Sequence, residues 1–86
     1  MNIICVYDIS GSTSIKAMHI LRKYLFHVQH SVFQGKLTPS QFRRLQKELS
    51  QIDLKSKDQI LFYFTYRDED LYEKTLGRPN QGRNII

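Results

Sequence analysis

Two runs of this chain, NIICVYDI at residues 2–9 and QILFYFTY at residues 59–66, are apolar or aromatic at nearly every position. β-branched and aromatic residues favour strands, and the second run reads as a central strand of a sheet. A strand that is apolar on both sides asks for cover on both faces of its sheet. The 86 residues make one small domain, and they offer two clear helical patterns. From Ile15 to about Phe26 the spacing puts Ile15, Met18, Leu21 and Leu25 on one face, with Lys16, His19 and Lys23 on another. TPSQ at residues 38–41 then opens a helix: Thr38 is the N-cap, Pro39 takes the first helical position and Gln41 closes a capping box. Phe42, Leu45, Leu49 and Ile52 form its apolar stripe, while Arg43, Arg44 and Lys47 point outward. Two helices cover only one face of a sheet. The other face calls for a second copy packed face to face across a twofold axis, so the expected assembly is a homodimer.

The remaining segments fill in the order. SGSTS at residues 10–14 supplies loop and N-cap chemistry. HVQHSVFQGKL, His27 to Leu37, alternates as strands do, with Gly35 and Lys36 marking a bend or hairpin tip, so the stretch holds one or two short strands. DLKSKD at residues 53–58 is a polar linker. RDEDLYEKTLG at residues 67–77 is expected to hold a short helix, with its acids at the front where the helix dipole favours them. That is a plainer account of DED than a metal cluster. RPNQGRN reads as a loop and the closing NII as a short strand. Strand, helix, one or two strands, helix, strand and tail is the α+β ferredoxin-like βαββαβ sandwich. Residues 1–78 are the expected domain. Residues 79–86 are the expected tail, adding a C-terminal edge strand to its own sheet, the other subunit or another protein.

Charge narrows the chemistry. The net charge is +5, and it is unevenly spread: residues 1–47 hold seven basic groups against the single acid Asp8. Such a field suits polyanions. The candidate nucleic-acid contacts are Lys16, Arg22, Lys23, Arg43, Arg44 and Lys47, the alternative being ordinary solvated helix faces. Cys5 is the only cysteine and lies in an apolar strand, which excludes an internal disulfide and fits a reducing cytoplasm. The N-terminus lacks a basic leader, and no run approaches the ~20 apolar residues of a membrane span. No cysteine pair, HExxH, phosphate-binding glycine loop or GxSxG is present. His19, His27 and His30 read as surface or polar-contact residues, since the spacing of the last two sends them to opposite faces of a strand.

Asp8 stands at the end of the first strand, where ligands and catalytic groups favour the junction with a loop. Its ordinary use would be turn formation or helix capping. In a face-to-face dimer, however, two Asp8 side chains converge near the axis. Paired carboxylates suit Mg²⁺ or Mn²⁺, with water and phosphate oxygens completing the shell. A cation there would polarise a phosphodiester and activate water.

YDIS ending the first strand, RKYLFHVQHSVFQGKLT running from the first helix into the second strand and the next helix start, and LG…GRNII at the tail together resemble the CRISPR-associated Cas-two proteins over essentially the whole chain. The resemblance implies a ferredoxin-like homodimer working in spacer acquisition, bridging Cas-one integrase dimers and holding double-stranded DNA. It also implies a metal-dependent endonuclease acting on single-stranded RNA or double-stranded DNA. By that resemblance Asp8 is the metal ligand, with Tyr7 and Phe33 as its catalytic companions. The chain departs from many members at His27, where arginine is common, and at Gln34, where glutamate is. A toxin-type endoribonuclease of related fold is the alternative function.

Overall fold

A computed structural model describes residues 1–67 and 70–79. Its elements are β1 (Asn2–Asp8), α1 (Ser12–Arg22), β2 (Phe26–Gln29), β3 (Val32–Lys36), α2 (Pro39–Ser50), β4 (Gln59–Thr65) and β5 (Tyr72–Gly77). They build one antiparallel sheet in the order β2-β3-β1-β4-β5, with both helices layered on one face. This is the expected ferredoxin-like α+β arrangement with one strand added beyond β4.

The helical layer is built from the expected side chains. Thr38 Oγ1 accepts from the Gln41 amide at 3.1 Å, and Gln41 Oε1 accepts from the Thr38 amide at 2.9 Å, so the capping box is complete. A cap of this kind is worth about 1 kcal/mol. Phe42, Leu45 and Leu49 recur every three or four residues along α2 and are all buried. They meet Ile3, Cys5, Phe33, Ile60 and Phe62 of the sheet, together with Ala17 and Leu21 of α1. Phe42 packs edge-on against Phe62 and Phe64, with ring centroids 5.1 and 5.0 Å apart. Between the helices Glu48 accepts from both Lys23 Nζ and the Tyr24 hydroxyl, tying the end of α1 to α2.

Three local expectations are corrected. Residues 70–77 hold no helix: Tyr72–Gly77 is the strand β5, paired with β4 from Gln59↔Gly77 to Phe64↔Tyr72. The free edge of β4 offers a ladder of hydrogen bonds that overrides the local helical preference. Asp68 and Glu69 of the DED run lie outside the described residues, as do residues 80–86 with the NII strand, so the added strand is β5 and the tail is not described. The hairpin tip falls at His30–Ser31, where His30 adopts a φ of 42°, and Gly35 lies inside β3. Finally, α1 ends at Arg22 and Phe26 already belongs to β2; within α1, Ile15 is exposed and Ala17 takes the inward place beside Leu21. Among the described residues no helix is long and apolar enough to cross a membrane.

Candidate functional site

β1 alternates between the two faces of the sheet. Ile3 and Cys5 are buried under the helices, whereas Ile4 and Val6 are 45% and 38% exposed on the opposite side. That uncovered face carries further apolar surface at Phe26 and Leu71, around a groove of about 430 Å³ lined also by Gln34, Lys36 and Tyr63. Asp8 lies three positions from Cys5 and therefore projects on the uncovered face with Ile4 and Val6.

Register explains what stands beside Asp8. It pairs with Gln59 of β4, and Gln59 pairs with Gly77 of β5, so one row crosses three strands. Arg78 follows that row and reaches back along it: its Nη2 lies 3.5 Å from Asp8 Oδ2. The reach is held from several sides. The Arg78 amide donates to the Asp58 carbonyl at 2.7 Å, Gln59 Nε2 donates to the Arg78 carbonyl at 2.9 Å, and Arg78 Nε donates to the Lys57 carbonyl at 3.3 Å. Asp58 organises the loop beneath. It is 3% exposed, and its carboxylate accepts from the Lys55 amide at 2.9 Å and, at 3.4 Å, from the Ser10 amide two residues past Asp8. The close fit requires Gly77, whose φ is +83° and whose place for a Cβ lies 2.4 Å from the Asp58 carbonyl oxygen. Neither Asp58 nor Arg78 stands out in the sequence as a site residue. The available signal was K-x-x-D closing a polar linker before an apolar strand, a pattern that suits an aspartate-capped turn.

The other candidates fall elsewhere. Tyr7 points to the helix side of the sheet, where burial, chiefly, raises the pKa of its phenol. Phe33 is fully buried, with its ring centroid 6.2 Å from that of Tyr7 and 4.8 Å from that of His27. Lys16, Arg22, Lys23, Arg43, Arg44 and Lys47 are all exposed on or beside the two helices, with the sheet between them and Asp8. Lys23 is engaged with Glu48, whose carboxyl lies below its ordinary range first through the Lys23 bond and then through Tyr24. Cys5 is buried and unpaired, and burial pushes its thiol pKa up.

Among the described residues no group of three or more His, Cys, Asp or Glu side chains gathers to hold a metal. Asp8 presents its carboxylate oxygens, 80% exposed, on the uncovered face. Such a donor does not fit Zn²⁺, which takes three or four protein ligands. It does fit a hydrated hard cation such as Mg²⁺, which keeps most of its water and is held by one or two carboxylates.

Comparison with known proteins gives consistent matches. Residues 1–71 match the protein-family model described as CRISPR associated protein Cas2. A Methanosarcina acetivorans protein named CRISPR-associated endoribonuclease Cas2 is 34% identical over 86 residues, covering 100% of this chain and 99% of its own. A Thermotoga maritima protein of the same name is 35% identical over 77 residues, covering 90% of this chain and 88% of its own. A solved structure described as a crystal structure of Cas2 superposes with a TM-score of 0.72 at 33% identity, covering 100% of this chain and 97% of that one.

Proposed function

The chain belongs to the CRISPR associated protein Cas2 family, and from that membership we propose that it is a metal-dependent endoribonuclease of a CRISPR system, working in spacer acquisition as a homodimer in the cytoplasm. The observation that carries the catalytic part is Asp8. It is an exposed carboxylate at the end of a rigid central strand, on the face the helices leave open, with a fixed guanidinium 3.5 Å away. A second copy packed on that face buries Ile4, Val6 and Phe26 and brings two Asp8 side chains to one site.

In this reading Asp8 and its twin hold Mg²⁺ or Mn²⁺ through carboxylate oxygens. Bound there, the cation supplies Lewis acidity at the phosphate and a water of lowered pKa. Tyr7 and Phe33 keep the end of β1 in place from beneath. Water adds to the phosphorus of a single-stranded RNA, and the P–O bond to the leaving oxygen breaks with a proton passing to that oxygen. The exposed basic side chains Lys16, Arg22, Arg43, Arg44 and Lys47, with Lys23, bind the backbone of double-stranded DNA without reading sequence. The dimer bridges Cas-one integrase subunits while its helices face the DNA.

Asp8→Asn tests the proposal, because it nearly preserves shape and removes the charge. The variant is expected to melt like wild type and to cleave single-stranded RNA roughly 100-fold more slowly in Mg²⁺, the scale of losing one electrostatic group at a reacting centre. Cleavage at the wild-type rate would place the activity elsewhere. Measuring spacer acquisition beside cleavage separates the two roles: loss of cleavage with intact acquisition assigns the architectural role to the rest of the dimer.

A further inference from the structure

Arg78 is held more firmly than an exposed arginine needs to be. Its amide, carbonyl and Nε are all engaged by Asp58, Gln59 and Lys57, and Gly77 before it admits no side chain. These bonds fix where the guanidinium stands while leaving its outer edge toward Asp8 and the uncovered face, 42% exposed. At 3.5 Å the contact between Nη2 and Asp8 Oδ2 is an ion pair too long to be a good hydrogen bond. The guanidinium therefore retains donor capacity for another acceptor. A planar fork of N–H donors matches a phosphate's oxygens in geometry as well as charge. Lys55 and Lys57, on the same loop, add two further exposed cations to this end of the sheet.

We infer that Arg78 is a catalytic residue of the Asp8 site, donating to a non-bridging oxygen of the phosphodiester that is cleaved. The inference rests on the reading of Asp8 as the hydrolytic centre, and it adds the group that holds the phosphate. Negative charge accumulates on those oxygens as the P–O bond breaks, and a donor already in position meets it without reorganisation. Asp58 is the positioning residue: one carboxylate and one carbonyl tie the loop after Asp8 to the backbone of Arg78, so the acid and the base keep their spacing.

The test uses Arg78→Gln and Arg78→Lys in the full chain, since both leave the backbone bonds of residue 78 intact and are expected to melt like wild type. Binding of a single-stranded RNA is measured in EDTA across a salt series, and cleavage of the same RNA is measured in Mg²⁺. One lost phosphate contact lowers the slope of log K against log salt by about 0.7. Arg78→Gln is expected to show that drop together with at least a tenfold slower cleavage, and Arg78→Lys to recover the slope and part of the rate. A reduced rate with an unchanged slope would mean that Arg78 only steadies Asp8, overturning the phosphate contact. A reduced slope with an unchanged rate would put the contact away from the reacting phosphate, overturning the catalytic role. If Asp8→Asn cleaves normally while Arg78→Gln loses the slope, the Asp8 centre falls and the phosphate contact alone survives.

Discussion

Replacing Gly77 with alanine places a methyl group 2.4 Å from the Asp58 carbonyl oxygen and 3.2 Å from the Asp58 carbonyl carbon, against an ordinary contact of 3.4 Å or more. Both atoms are backbone, so no rotamer change relieves the contact. The end of β5 must move by about 1 Å away from Asp58. That movement breaks the 2.7 Å bond from the Arg78 amide to the same oxygen, at a cost of about 1 kcal/mol. Holding an L-residue at a φ of +83° costs about 1 kcal/mol more. Together they predict a loss of about 2–3 kcal/mol. For a domain of this size that is a fall of about 10–20 °C in melting temperature, read at one fixed protein concentration. Gly77→Asn is the informative companion, because asparagine tolerates positive φ yet still carries a Cβ. Urea denaturation is expected to show a loss in both variants, smaller by up to about 1 kcal/mol for asparagine. An asparagine variant within about 0.5 kcal/mol of wild type would refute the close approach to Asp58 and leave only a backbone preference.

Two further outcomes follow from other parts of the molecule. Glu48→Gln probes the tie between the helices. The Glu48 carboxyl lies below its ordinary 4.5, so its contribution is present above that value and lost as pH falls through the lower folded value. The Lys23 amine and Tyr24 phenol lie above 10.5 and 10.0 through their bonds to Glu48, so their share is present below those values and lost as pH rises through the raised ones. The gap in urea midpoint between wild type and Glu48→Gln is therefore expected to be widest between about pH 5 and 9 and to close at both ends; an undiminished gap at pH 3 would contradict it. Ile4→Glu puts a carboxylate on the uncovered face between Gln34 and Tyr63. Light scattering is expected to show monomers with unchanged circular dichroism, and a dimer of undiminished affinity would move the interface elsewhere.

Much of the architecture was legible because several cues agreed. TPSQ and the stripe Phe42, Leu45, Leu49 mark α2 by capping and by period together. The continuous apolar runs likewise mark β1 and β4 as central. Tyr72–Gly77 is not legible as a strand because LYEKTLG suits either period, and what decides it is the unpaired edge of β4, which is a property of the assembled sheet. The hairpin tip was misplaced for a related reason. Gly35 looked like a turn residue, yet its lack of a side chain serves β3, where a Cβ would meet Leu25 Cδ2 at 3.0 Å. Asp8 could be singled out from charge alone, as the only acid in a basic stretch. Arg78 could not: its neighbourhood depends on the row Asp8–Gln59–Gly77, and register is absent from a linear pattern of residue types.

The sheet also acts as a partition. Asp8 and Arg78 occupy one side of it and the exposed lysines and arginines of α1 and α2 the other. Residues on separate layers that share no partner respond to substitution almost independently, their effects adding to within about 0.5 kcal/mol. A lineage carrying this fold can therefore remodel its cationic surface without disturbing the carboxylate end of β1. It can equally let that carboxylate decay while the cationic surface stays under selection, so the two halves of the molecule are free to age at different rates.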